Sequence, residues 1–135
     1  MDSKNMRIFL QNKLWRDKAV DLMEQNHGSK INWRCLNDQE FDQEIRVKLL
    51  EEMEEVIAAK TRQELVGEIA DLYEVLGALG TLHNISQEEI LAEKVRKHNE
   101  RGGFEGRRFV STAEHPVGSF GEKYCLAAPD KYPEV

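Results

Sequence analysis

The chain is poor in the features that would place it outside the ordinary globular class. It has only two cysteines, Cys35 and Cys125, far apart and without metal-ligand spacing. A disulfide framework and a zinc site both need more than that, so two idle thiols are expected. No apolar run approaches the ~20 residues of a membrane span, and the apolar stretch near Met1 is too short for a signal peptide. A cytoplasmic protein that meets no membrane is expected. Basic residues are outnumbered, 19 Lys and Arg against 25 Asp and Glu, for a formal net charge of −6. That balance argues against a basic face for nucleic acid. It leaves room for a nucleotide, because a cation can bridge acidic protein and anionic phosphate. Proline is scarce too, and all three, Pro116, Pro129 and Pro133, fall in the last part of the chain.

With 135 residues the chain has the length of one domain with a core of its own. The proline-free region carries three helix-start signals. Asn37 with Glu40, Thr61 with Glu64 and Ser86 with Glu89 each have capping-box spacing. The first opens a helix with Phe41, Ile45, Leu49, Met53 and Val56 on one stripe, running to about Lys60. The second carries Leu65, Ile69, Leu72, Leu76, Leu79 and Leu82 and ends near Asn84. The third carries Ile90, Leu91 and Val95 and stops at Gly102-Gly103. A shorter helix after Lys18 ends at Gly28, a left-handed stop. The first dozen residues read as a loose arm or short strand, Ser29 to Leu36 as a brief extended segment, and the chain beyond Phe104 as an irregular tail. Amphipathic helices with short connectors predict an all-α antiparallel bundle of about four helices, as a single domain over 1–135. Its core is expected at 13–108, with 109–135 as a lid or an arm exchanged between subunits. Two long helices with one apolar stripe each bury poorly alone, so a homodimer or homotetramer is expected.

Acidic residues mark the two central helices. Glu52 and Glu55 are three apart, and Glu68 and Asp71 repeat that spacing, so each pair shares one helix face. In an antiparallel pair of helices these four acids converge. So much negative charge in one cleft is unfavourable without a cation. Asp71 stands mid-helix in an apolar stretch, where aspartate is a poor choice on propensity alone. Carboxylates without nearby Cys or His favour a hard cation, Mg²⁺ first and Mn²⁺ as a substitute. A di-iron centre needs two Glu-x-x-His pairs, and the sequence has one, Glu24 with His27.

These residues resemble a known family. Glu51-Glu52-Met53-Glu54-Glu55 followed by Glu68-Ile69-Ala70-Asp71 is similar to the double acid motif of the all-α nucleoside triphosphate pyrophosphohydrolases. That MazG-like group includes phosphoribosyl-ATP pyrophosphohydrolase. Lys13-Leu14-Trp15-Arg16-Asp17-Lys18 resembles the opening motif of one MazG-like subgroup, with Trp15 in place of an aliphatic residue. Arg101-Gly102-Gly103-Phe104 resembles that subgroup's closing motif. The resemblance implies cleavage between the α and β phosphates of a nucleoside triphosphate, giving a monophosphate and pyrophosphate. It implies Glu52, Glu55, Glu68 and Asp71 as metal ligands, and catalysis by Glu52 and Glu55 with Glu51 orienting or activating a water. Developing phosphate charge needs cations, and Arg16, Lys18, Lys94, Lys97 and Arg101 are the candidates. Lys48 is placed to pair with Glu52. House-cleaning of non-standard nucleotides is the first expectation, and phosphoribosyl-ATP hydrolysis in histidine biosynthesis the alternative. From another class, a helical bundle that binds a nucleotide or partner without hydrolysis is the rival.

Overall fold

The computed structural model describes residues 5–135, and these form five helices and no strand. They are α1 (Asp17–His27), α2 (Asp38–Ala58), α3 (Arg62–Leu82), α4 (Gln87–Arg101) and α5 (Phe120–Leu126). The all-helical class expected from the sequence is correct. The chain divides into two compact units, Met1–Arg96 and Lys97–Val135, and the division falls within α4.

In the first unit, local side-chain chemistry sets the helix ends. Asn37 caps α2 with a full reciprocal box: Glu40 N donates to Asn37 Oδ1 at 2.9 Å, and Asn37 N donates to Glu40 Oε1 at 3.3 Å. Arg34 also grips the Glu40 carboxylate with both guanidinium nitrogens, at 3.2 and 2.6 Å. Thr61 Oγ1 accepts from Glu64 N at 3.1 Å, but the Glu64 carboxylate reaches past the cap to Lys60 N at 2.9 Å. Ser86 Oγ accepts from Glu89 N at 3.1 Å. Gly28 ends α1 with φ 67°, a left-handed turn where a side chain would be strained.

Between α2 and α3 lie only Ala59, Lys60 and Thr61, so the two helices fold back on each other as an antiparallel hairpin. At its open end, Asp42 accepts from His83 Nε2 at 2.7 Å and from Arg46 Nε at 3.2 Å. This hairpin is the framework of the first unit, yet it buries little by itself. Among the described residues, Ile45 and Val75 are the buried apolar side chains. Leu50, Met53 and Ile57 on α2 are exposed, as are Leu65, Ile69 and Leu76 on α3. At steps of three, four or seven, each set forms a stripe along its helix.

Two expectations need correction. Ser29 to Leu36 alternates polar and apolar residues but forms no strand; alternation without a neighbouring strand to bond does not make one. The tail is not irregular throughout. In the second unit, α5 is capped by Ser119, whose side chain accepts from Glu122 N at 3.3 Å, while Glu122 Oε1 accepts from Gly118 N at 2.9 Å. Phe120, Tyr124 and Tyr132 follow one another with ring centroids 5.9 and 5.7 Å apart. The short-strand alternative for the first dozen residues falls partly on 1–4, outside the described residues; residues 6–12 contain no strand.

Candidate metal centre and active site

Because Glu52 and Glu55 are one helical turn apart on α2, and α3 returns beside them, Glu68 enters the same space. One carboxylate oxygen from each of Glu52, Glu55 and Glu68 lies within 4.8 Å of the others. Glu52 is buried, Glu68 half-buried and Glu55 exposed, so the group opens from the hairpin interior toward solvent. Beside it runs an open groove of about 410 Å³, lined by Glu51, Glu54, Glu55, Glu64 and Glu68 together with Ala58 and Ala59.

Electrostatics mark this group as frustrated. Desolvation pushes the Glu52 carboxyl above its ordinary value. The charges of Asp71, Glu55 and Glu51 push the same way, and Lys48 only partly opposes them. Glu68 is also raised, first by desolvation and then by Glu55, Asp71 and Glu52. Its Oε2 is buried without a hydrogen-bond partner among the described residues. A buried, unsatisfied carboxylate oxygen is costly. Three acids with oxygens within 4.8 Å of one another, one of them carrying an orphaned oxygen, form a donor set that fits a hard divalent cation.

Around this group stand three cations. Lys48 Nζ lies 3.1 Å from Glu51 Oε2 and 3.7 Å from Glu52 Oε1, so the anticipated pairing with Glu52 is present but Glu51 is its closer partner. Lys13 Nζ donates to the other oxygen of Glu51 at 3.0 Å. Burial alone would raise Glu51; hydrogen bonds from Lys13 and Lys48, and their charges, outweigh it and hold the carboxyl below its usual range. Arg16 Nη2 donates to Asp71 Oδ1 at 2.8 Å. Asp71 therefore sits beside the acid group, and its charge bears on Glu52 and Glu68, but its oxygens do not join the tight set of three.

A family model for phosphoribosyl-ATP pyrophosphohydrolase matches residues 21–99. The chain belongs to the phosphoribosyl-ATP pyrophosphohydrolase family. That family lies in the MazG-like all-α nucleoside triphosphate pyrophosphohydrolase superfamily, and its members act on phosphoric anhydrides. The protein is thus a pyrophosphohydrolase. No curated protein and no solved structure matches the chain. The matched span contains α2, α3 and every acid of the cluster, whereas Lys13–Lys18 and Arg101–Phe104 flank it.

For this pyrophosphohydrolase, then, the sequence candidates fall into three sets. Glu52, Glu55 and Glu68 come together as one group. Glu51 and Asp71 lie beside it, each in an ion pair with a residue of the opening motif. Lys18 is exposed on the first turn of α1 and Lys94 is exposed on α4. Lys97 and Arg101 belong to the second unit, where Arg101 Nε lies 3.9 Å from Glu100. The role of Lys13 was not foreseen, although its place in the opening motif was a signal for it.

Proposed function

We propose that the protein is a Mg²⁺-dependent nucleoside triphosphate pyrophosphohydrolase that cleaves between the α and β phosphates. The observation that carries this reading is the convergence of Glu52, Glu55 and Glu68 on one point, with an unpartnered buried oxygen among them. Bound Mg²⁺ supplies charge neutralisation for the triphosphate and a water acidified enough to attack phosphorus. The three glutamates hold the ion, and Asp71 is the fourth acid of the set. Arg16, and Lys18 on the first turn of α1, are the proposed phosphate contacts, with Lys94 on α4 as a further candidate. Glu51 has both oxygens committed to lysines and a lowered carboxyl pKa. A weakened base is suited to orienting those lysines and a nearby water.

Non-standard triphosphates are the proposed substrates, on the strength of the two flanking motifs that resemble one MazG-like subgroup. Phosphoribosyl-ATP is the second reading, favoured by the family match itself. The working form we propose is a homodimer in the cytoplasm, its shared core built from the apolar stripes that the hairpin leaves open. No helix of the described residues is long and apolar enough to cross a membrane.

The test is a panel of common and damaged nucleoside triphosphates, with phosphoribosyl-ATP included, assayed for pyrophosphate with and without Mg²⁺. At least one triphosphate should yield pyrophosphate and monophosphate only when Mg²⁺ is present. Turnover of phosphoribosyl-ATP alone would move the enzyme to histidine biosynthesis. Consumption of none would leave a binding role.

A further inference from the structure

Sequence motifs assign Arg16 to phosphate and Asp71 to metal; the folded chain pairs them with each other. Both side chains are open to water, 59% and 42% exposed. A pair so exposed is screened and shifts an equilibrium by a factor of only about two to five. It is therefore readily exchanged. Asp71 is close enough for its charge to bear on Glu52 and Glu68, yet it stands outside the tight group of three. Three residues before Arg16, Lys13 fastens the same segment to Glu51 of α2. The segment is thus tied to both helices, to Glu51 on α2 and to Asp71 on α3, and the Arg16 tie is the one made to a candidate ligand.

We propose that Arg16 is an exchange residue coupling triphosphate binding to cation binding. The incoming triphosphate draws the guanidinium away from Asp71, and Asp71 becomes available to the cation as a fourth carboxylate. Arginine suits the task because its planar fork accepts carboxylate or phosphate with the same geometry. A triphosphate carries more charge than one carboxylate and wins the competition, while Lys13 on Glu51 keeps the segment in place. The coupling is reciprocal: triphosphate tightens the cation by the factor with which the cation tightens triphosphate. This inference rests on the hydrolase reading above.

The experiment is Mn²⁺ binding, by electron paramagnetic resonance, to the full chain and to Arg16→Gln, Arg16→Lys and Asp71→Asn. Each is titrated alone and with α,β-imido-ATP, at matched free Mn²⁺. Freed of its competitor, Asp71 should let Arg16→Gln bind Mn²⁺ alone about two- to fivefold tighter. The tightening caused by the analogue should shrink by at least that factor. Arg16→Lys should retain most of the coupling. Asp71→Asn should bind Mn²⁺ alone within about twofold of the parent, and lose coupling as Arg16→Gln does. Equal or weaker Mn²⁺ binding by Arg16→Gln alone, or undiminished coupling in either Gln or Asn variant, overturns the proposal. Circular dichroism on each variant separates these results from unfolding. A parent protein that binds no Mn²⁺ would strike the hydrolase reading itself; one that binds it while the variants behave identically strikes only the exchange.

Discussion

Glu52→Gln should abolish pyrophosphate release and at the same time raise the melting temperature. The loss follows from removing the buried member of the three-carboxylate group, and it should amount to roughly 10²–10³-fold or more in turnover. The gain follows from the raised pKa of Glu52, whose causes are desolvation first and then the charges of Asp71, Glu55 and Glu51. A carboxyl with a folded pKa above its unfolded value holds its proton more tightly in the native state. Stability is then lost as pH climbs from the unfolded value through the raised one, and the penalty is complete once the pH stands above that raised value. Glutamine is neutral throughout, so the variant should melt a few degrees higher at pH 7.5. The difference should vanish near pH 4, where Glu52 itself is protonated. Glu68→Gln should act in the same direction, because Glu68 is raised for the same reasons. Melting curves across pH without divalent metal, paired with a pyrophosphate assay, decide it. A variant that melts lower at pH 7.5, or keeps its turnover, contradicts a frustrated acid group built for a cation. Stability given up at a working site is a familiar exchange.

Ile69→Asp should convert the protein from dimer to monomer and cost about 2–5 kcal/mol of stability. Ile69 is 38% exposed on α3, in line with Leu65 and Leu76, while Leu50, Met53 and Ile57 stand open along α2. Apolar stripes on this scale are rare on monomers and mark surfaces that another chain covers. A single carboxylate set into such an interface would be desolvated without a partner. Light scattering coupled to gel filtration should give twice the chain mass for the parent and one chain mass for the variant. A parent that runs as a monomer, or a variant that remains dimeric with unchanged melting, would remove the shared core from the account. An exposed control, Ile57→Ser near the end of α2, should have a smaller effect, because helix ends contribute least to the buried centre of such a face.

What the sequence disclosed and what it hid follow one physical division. Helix boundaries were legible because capping is local: Asn37 with Glu40, Thr61 with Glu64 and Ser86 with Glu89 act across three residues. Ser119 with Glu122 has the same spacing and does open a helix. It was obscured by the prolines and glycines around it, which pointed to an irregular tail. The acids were legible because helical period fixes which side chains share a face. The ion pairs were not. Lys13 meets Glu51 across 38 positions, His83 meets Asp42 across 41 and Arg16 meets Asp71 across 55. No periodicity encodes such partners; they exist only once α3 lies back along α2 and the segment before α1 crosses the pair. For that reason the sequence leaves Glu51 to orient or to activate a water, while the fold commits both its oxygens to lysines.

The whole account depends on a divalent ion seated between α2 and α3, and calorimetric titration of the unmodified protein with Mn²⁺ at pH 7.5 tests it most directly. Saturable binding should appear at one or more sites per chain. It should compete with protons, because Glu52 and Glu68 hold theirs more tightly than ordinary carboxylates do. It should weaken as pH falls toward 5, and disappear in Glu55→Gln. Heats no larger than dilution in the unmodified protein, or a saturable site that Glu55→Gln leaves intact, would contradict it.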